Sequence, residues 1–413
     1  MGLPTAEFPS MDAVQEILHY NAGRDPERLA LKYERMRSDP FVFLRGTCHL
    51  FYARLPRGGI FKSAPPVWCC GDLHLENFGS YKGQHRIAYF DLNDFDEAAL
   101  APATWDLVRL LASLRVGAGS LQLEPLAVEE LCTAFLSAYV HALGDGKAYW
   151  VEPQTAQGLV RTLLDGLRER QRATFLDGRT VKKGRKRTLR TDGRKALPAS
   201  DAQRAEVLGF MEDFAREQPH DPDHPHFFRV LDVARRIAGT GSLGVDRYAI
   251  LVEGKGSPDG NYLLDLKQAL PSSLVPHLKT KQPRWGTQAE RVVAVQRRVQ
   301  AVSMAFLQPV EMGGQPYVLR GLQPLEDRVT IAGASQKLAD IRGVVATMGR
   351  LVAWGQLRSA GREGSAIADE LIDYARRGKW QAKLQAAAAE MAEKTLRDAA
   401  NYNTAYDDGV FRL

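Results

Sequence analysis

The chain has 413 residues, of which 45% are apolar and 25% are charged, and its formal net charge is +6. A chain of this length can bury about three quarters of its unfolded surface, so the composition indicates two or three folded domains and excludes a small module or a disordered segment. The modest net charge argues against a uniformly basic nucleic-acid-binding protein.

The cysteines and the apolar stretches indicate the compartment. Four cysteines in so long a chain form neither a disulfide framework nor a metal quartet, and Cys69 and Cys70 are too close in sequence for an ordinary bridge. No stretch approaches the roughly 20 apolar residues that span a bilayer, and the N-terminus lacks a signal-peptide pattern. We therefore expect a cytoplasmic protein without a membrane partner.

Residues 1–68 predict two or three helices and a connecting strand or loop, with residues 41–46 as the apolar centre. We expect this segment to pack on a helical lobe. Arg45 has two interpretations. It is a surface or salt-bridged arginine, or it faces a cleft and contacts phosphate with its forked donors.

Residues 69–97 carry the densest group of candidate functional side chains. Asp72 and Asn77 lie five residues apart, and the β-prone residues 86–90 lead to Asp94. Phosphoryl transfer needs a carboxylate facing the acceptor hydroxyl and oxygen ligands for magnesium. We therefore predict Asp72 as the catalytic carboxylate and Asn77 and Asp94 as magnesium ligands. The alternative is that these are ordinary turn residues, and Asp96 is either a further metal contact or a solvated acid.

Asp106 lies at the start of a predicted helix, in which the apolar residues 107, 110, 111 and 114 follow helical spacing. An acid at a helix N-terminus can accept hydrogen bonds from backbone amides, so Asp106 is predicted to brace the loop that carries Asp72. Residues 126–143 and 154–172 repeat this periodicity, and we expect residues 69–228 to form most of a helical lobe.

The basic segment, residues 179–195, interrupts that lobe with nine basic residues and a single acid, Asp192. It is either a solvated loop or a site for an acidic acceptor, for nucleic acid or for nucleotide phosphates. No aromatic residue is interleaved, so stacking on single-stranded nucleic acid is weakly supported. The basic residues are Arg179, Lys182, Lys183, Arg185, Lys186, Arg187, Arg190, Arg194 and Lys195.

Residues 229–330 predict a β-rich, nucleotide-binding lobe. The glycine-rich segment, residues 239–244, reads Gly-Thr-Gly-Ser-Leu-Gly and is followed by two β-prone runs, 247–253 and 262–267. Because it precedes a strand instead of opening a helix, it favours a loop over phosphates and not a dinucleotide-binding turn. The residues of this segment predicted to bind the nucleotide are Gly239, Gly241, Ser242 and Gly244.

Lys267 ends the second of these runs, at the position where a kinase keeps the lysine that binds the α- and β-phosphates. The alternative is an exposed lysine paired with Asp265. Glu290, in a helix predicted over 286–307, is the candidate acid that orients Lys267. Residues 331–413 contain two helical tracts, 334–358 and 366–400, which we expect to complete the helical lobe.

Several motifs resemble known families. Residues 71–77, Gly-Asp-Leu-His-Leu-Glu-Asn, resemble the Gly-Asp-x-His-x-x-Asn loop of aminoglycoside phosphotransferases and choline kinases, and the interval from Asp94 to Asp106 is similar to that between their metal and structural aspartates. Residues 43–46, 239–244 and 266–269 resemble the uncharacterised bacterial domain-of-unknown-function family 2252, grouped with the protein-kinase-like fold. The resemblance implies a two-lobed α+β fold with ATP and magnesium as cofactors, and it indicates no acceptor.

The order of the motifs implies a circular permutation, because a kinase has its glycine turn and lysine before its catalytic loop and here Asp72 precedes Lys267. Lys267 and the glycine-rich segment should then face Asp72, Asn77 and Asp94 across one cleft. The leading hypothesis is an ATP-dependent phosphotransferase with an unknown hydroxyl acceptor. The alternatives are AMP transfer by the same fold, and a non-catalytic protein that senses nucleotides or binds nucleic acid.

Overall fold

The computed structural model describes residues 12–219, 221–322, 328–333 and 335–413. It has a mixed α+β fold in which a large helical unit packs beside a six-stranded antiparallel sheet. The elements before the sheet are α1 (Ala13–Tyr20), α2 (Pro26–Ser38), α3 (Pro40–Gly46), α4 (Cys48–Arg54), α5 (Ile60–Ser63), β1 (Pro66–Cys69), β2 (Phe78–Lys82), β3 (Ala88–Leu92), β4 (Ala99–Pro102), α6 (Thr104–Val116), α7 (Pro125–Gly144), α8 (Gly158–Glu169), α9 (Arg172–Asp177), β5 (Thr180–Lys183) and β6 (Lys186–Leu189).

The sheet and its helices follow, and two long helices with a short one between them come last. The sheet region comprises β7 (Ala196–Pro198), α10 (Asp201–Glu217), β8 (Val230–Arg236), β9 (Arg247–Val252), β10 (Tyr262–Gln268), α11 (Gln288–Val299), β11 (Gln308–Met312) and β12 (Gln315–Gly321). The last helices are α12 (Leu338–Arg358), α13 (Ala368–Arg376) and α14 (Lys379–Asp407).

The sheet has the strand order β11-β12-β10-β9-β8-β7, and side-chain alternation gives it two different faces. Ile250 and Leu264 belong to the face that packs against α10. Leu263, Asp265 and Lys267 point to the opposite face, because residues two apart on a strand share a face. Lys267 on β10 pairs in register with Arg247 of β9. This second face is the one that borders the candidate site.

The sheet begins earlier in the chain than the predicted boundary at residue 229. Strand β7 pairs with β8, and α10 packs its buried Val207, Met211 and Phe214 against the sheet. The basic segment is also ordered, since β5 and β6 pair as an antiparallel hairpin. Periodicity predicts these elements poorly because β7 has three residues and its pairing partner lies more than thirty residues away.

The helical unit is built around α6, whose residues are almost all buried. Helix α14 packs against α6, and α7 packs along α12. In the described part of the chain, α7 is the one helix long and apolar enough to cross a bilayer by length and composition. Its residues Leu131, Phe135 and Tyr139 are fully buried inside the protein. Helix α7 therefore contributes to the hydrophobic core.

Candidate functional site

A cleft of about 70 Å³ lies between residues 70–97, the glycine-rich segment and the end of β10. It combines acidic, basic and backbone groups that come from segments more than 140 residues apart. The predicted site residues that line it are Asp72, Asn77, Asp94, Gly239, Gly241, Ser242 and Lys267. Gly244, Glu290 and Asp106 are not among the residues that line the cleft.

The loop after β1 owes its shape to a carboxylate and a glycine. The Asp106 carboxylate accepts hydrogen bonds from the amides of Cys70 and Gly71, at 2.9 and 3.0 Å. Burial raises the pKa of Asp106 to about 6, although these two amides act in the opposite direction. Gly71 has φ +89°, and a Cβ atom there would lie 2.1 Å from the carbonyl oxygen of Glu97. The loop backbone therefore has little freedom beside Asp72.

Arg109 binds the Asp72 carboxylate, and the sequence prediction did not include it. Its guanidinium is fully buried, donates to Oδ1 of Asp72 at 2.6 Å and to the carbonyl oxygen of Leu44 at 2.8 Å, and lies over the Phe51 ring. Burial raises the pKa of Asp72, and the positive charge of Arg109 opposes that rise. The carboxylate is held in one orientation while its side chain stays 21% exposed to the cleft.

Asn77 joins the two acidic parts of the cleft. Its Oδ1 accepts from the amide of Asp94 at 2.9 Å, and its Nδ2 donates to the carbonyl oxygen of Asp72 at 3.0 Å. An amide oxygen has two lone pairs, so one remains available to a cation. Burial acts to raise the pKa of Asp94, but the charges of Lys267, Arg320 and Arg247 outweigh burial and lower it.

Lys267 forms its ion pair with Asp96, two residues after Asp94. The predicted partner Glu290 is exposed, and its carboxylate accepts from the amide of Gly286 at 2.9 Å. Thr287 accepts from the amide of Glu290 at 3.1 Å, which is the Thr-x-x-Glu pattern of a helix N-terminus. The prediction that Glu290 orients Lys267 is therefore wrong. Asp96 occupies that position.

The glycine-rich segment connects the adjacent antiparallel strands β8 and β9. Two cations hold the carbonyl oxygen of Gly241: Arg24, in the turn between α1 and α2, donates to it at 2.8 Å, and the buried Lys32 of α2 donates to it at 3.0 Å. Within the described ranges, the amides of Gly241 and Ser242 donate to no protein acceptor. These amides remain available to an anion at the cleft.

Gly244 supports this segment from outside the cleft. It has φ +86°, and its carbonyl oxygen accepts from the amide of Asp25 at 2.9 Å. A Cβ atom at Gly244 would lie 2.8 Å from Cβ of Arg24. Its role in this structure is the close approach of the glycine-rich segment to the N-terminal helices, and not direct contact with the contents of the cleft.

Arg45 is salt-bridged and also borders the cleft, whereas its contact with phosphate stays a prediction. It lines the cleft and forms an ion pair with Glu76 at 2.7 Å. Arg328 pairs with the same carboxylate, also at 2.7 Å. Two guanidinium groups therefore share one acid at the cleft rim.

Asp265 is the centre of an arginine cluster beside Lys267 on the same sheet face. It is fully buried and forms ion pairs with three guanidinium groups, and these lower its pKa well below the usual range even though burial acts to raise it. The expected alternative pairing of Asp265 with Lys267 is thus replaced by pairing with arginine. The three partners are Arg236 at 2.8 Å, Arg247 at 2.6 Å and Arg320 at 3.3 Å.

The donor set of the cleft suits a small hard cation only in part. Magnesium usually takes one or two protein carboxylates and completes its shell with water and substrate phosphates. Asp94 and Asp96 face the cleft and supply two such groups. Among the residues that the structure describes, no group of three or more His, Cys, Asp or Glu side chains could hold a metal. Asp94 and Asp96 are therefore two carboxylates of the cleft that could hold a cation, and Asp96 is already paired with Lys267.

A bacterial protein family covers nearly the whole chain. The family described as "Uncharacterized protein conserved in bacteria (DUF2252)" matches residues 24–405. The chain belongs to this family. No curated protein and no solved structure matches the chain significantly. The family match begins at Arg24, so it includes Arg24 and helix α2, whose Lys32 binds the glycine-rich segment, but not α1.

Proposed function

We propose that the protein is an ATP- and magnesium-dependent phosphotransferase that acts on a hydroxyl acceptor. One observation carries the proposal: Asp72, Asn77 and Asp94 line the same cleft as Lys267 and the glycine-rich segment. Chance turn residues have no reason to converge in this way. The combination of acids, a strand lysine and free backbone amides is what phosphoryl transfer uses to position its reactants and neutralise their charge.

A circularly permuted, kinase-like arrangement accounts for the topology. The glycine-rich segment links two adjacent antiparallel strands, and Lys267 lies on the next strand of the sheet, facing the cleft. This is the order of a phosphate-covering loop and its lysine in kinases. The loop with Asp72 comes from the helical unit, which precedes the sheet in this chain. We infer that the two lobes are connected in the reverse of the usual order.

Each residue has a role that follows from its contacts. Asp72, held by Arg109, would accept the hydrogen bond of the acceptor hydroxyl and orient its oxygen toward the phosphorus atom. Lys267 would donate to the phosphates, exchanging part of its contact with Asp96. The amides of Gly241 and Ser242 would bind phosphate oxygens. Magnesium, held by Asp94, Asp96 and the free lone pair of Asn77, would neutralise the phosphate charge.

The test is a thermal unfolding titration of the full chain with magnesium and ATP. A ligand at 100 times its dissociation constant adds about 2.7 kcal/mol of stability, which raises the melting temperature by several degrees. Asp94→Asn and Lys267→Ala should lose this increase. Lys255→Ala, at an exposed lysine in the turn after β9, should keep it. Absence of magnesium-dependent stabilisation of the wild type by any nucleotide would refute the proposal.

The arginine cluster favours AMP transfer as a second candidate. Asp265 precedes Lys267 by two residues on the same sheet face, and its three arginines extend the positive charge deeper along that face. A nucleotide bound in the reverse direction would place its terminal phosphates near these arginines. Incubation with ATP and mass spectrometry of a modified product separates the two candidates, because a phosphoryl group and an adenylyl group add different masses.

A further inference from the structure

A second cavity of about 320 Å³ lies against the same sheet face, on the far side of the arginine cluster from Lys267. Leu263 and Lys267 are four residues apart on β10, so the cavity is about 13 Å along the strand from the cleft lysine. Its floor is apolar. The side chains of the floor belong to Ile237, Ala249, Leu263 and Leu322.

The rim of the second cavity is strongly basic. Four of its cations come from the basic segment, and a fifth, Arg236, belongs to the arginine cluster. Asp192 is the acid that lines the cavity together with them. The basic residues of the lining are Arg179, Arg190, Arg194, Lys195 and Arg236.

Arg236 connects this rim to the buried charges of the sheet. It is 7% exposed, and it shares the Asp265 carboxylate with Arg247 and Arg320. Burial lowers the pKa of Arg236 to about 10, Asp265 opposes the change, and the other two arginines add to it. Three guanidinium groups thus share one carboxylate. The positive charge of this group would stabilise an additional anion next to Arg236.

We propose that the second cavity binds an organic anion, with its apolar body on the Leu263 and Leu322 floor and its anionic group among Arg190, Arg194 and Arg236. An inorganic anion would leave the floor uncovered, and a neutral apolar ligand would make no use of the positive charges of Arg190 and Arg194. The site is separate from the cleft that contains Asp72 and Lys267. Binding of an organic anion at this cavity does not depend on the proposed phosphotransferase activity.

The experiment titrates the full chain with anilinonaphthalene sulfonate, a fluorescent aromatic anion, without nucleotide or magnesium. Phenylnaphthylamine, the same aromatic body without the sulfonate, serves as the neutral probe. Arg194→Glu reverses a rim charge, and Arg185→Glu reverses an exposed charge of the same segment that does not line the cavity. Both side chains are at the surface, so neither change should disturb folding.

The expected result is saturable binding of the anionic dye that Arg194→Glu weakens about tenfold, since a repulsive charge replaces an attractive one close to the sulfonate. Arg185→Glu should change this affinity by no more than about twofold, and neither variant should change binding of the neutral probe. Equal weakening by both variants, or no saturable binding, would overturn the proposal. Displacement of the dye by magnesium and ATP would overturn the proposal that the two sites are separate, because the nucleotide would then occupy this cavity.

Discussion

The ion pair between Arg109 and Asp72 leads to a quantitative prediction about the cleft. Arg109→Met keeps the apolar stem over the Phe51 ring and removes the guanidinium that binds Asp72 and the carbonyl oxygen of Leu44. Removing one partner of a fully buried ion pair costs about 3–5 kcal/mol. Because the Asp72 side chain is 21% exposed and can regain some water, we expect Arg109→Met to lower the free energy of unfolding by about 2–4 kcal/mol at neutral pH.

The loss should depend on pH in a defined direction. Burial raises the pKa of Asp72 and Arg109 opposes the rise, so the variant should have a still higher pKa at Asp72. Its native state then takes up a proton more readily, and a neutral Asp72 needs no cationic partner. The deficit in unfolding free energy relative to wild type should therefore shrink as the pH falls from about 8 to about 5.

The assay is urea unfolding at several pH values, with Arg115→Met as the matched control. Arg115 lies on the same helix, and its ion pair is with Glu129, whose side chain is 56% exposed. Exposed pairs contribute about 1 kcal/mol or less, so the control should lose little stability. Equal losses for the two variants, or a deficit at Arg109 that does not change with pH, would refute the reasoning.

Two further predictions concern the loop before Asp72. Gly71→Ala should lower the free energy of unfolding by about 2–5 kcal/mol, because φ is +89° and the new Cβ atom would meet the Glu97 carbonyl oxygen. At Gly58 a Cβ atom has no neighbour within 4 Å, so Gly58→Ala should be close to neutral in thermal unfolding. Comparable losses at both glycines would contradict this. Burial raises the pKa of Asp106 to about 6. In the unfolded chain the pKa of an aspartate is about 3.9, so the folded state binds the Asp106 proton more tightly. This binding contributes its full stability below about pH 3.9, and the contribution is lost as the pH rises to about 6. The asparagine of Asp106→Asn cannot ionise, so the unfolding free energy of the wild type should fall by about 2–3 kcal/mol relative to this variant between about pH 4 and pH 7. A difference in unfolding free energy that stays constant over this range would contradict the prediction.

The positions of many elements follow from local sequence. The apolar spacing after Asp106 predicted α6, and the two β-prone runs after the glycine-rich segment predicted β9 and β10. The spacing of Asp72, Asn77 and Asp94 singled out one side of the cleft. Thr287 and Glu290 also have the spacing of a helix N-terminus, which predicts that Glu290 binds local backbone amides instead of Lys267.

Only the tertiary structure decided which charged groups meet. Arg24 and Lys32 contact the glycine-rich segment across more than 200 residues of chain, and no periodicity encodes such a contact. Arg109 is one helical turn from Asp106, so its face was predictable, but its pairing with Asp72 depends on how α6 packs against the loop. Hydrophobic periodicity is a property of neighbouring residues, whereas the partner of a buried charge is set by the packing of distant elements.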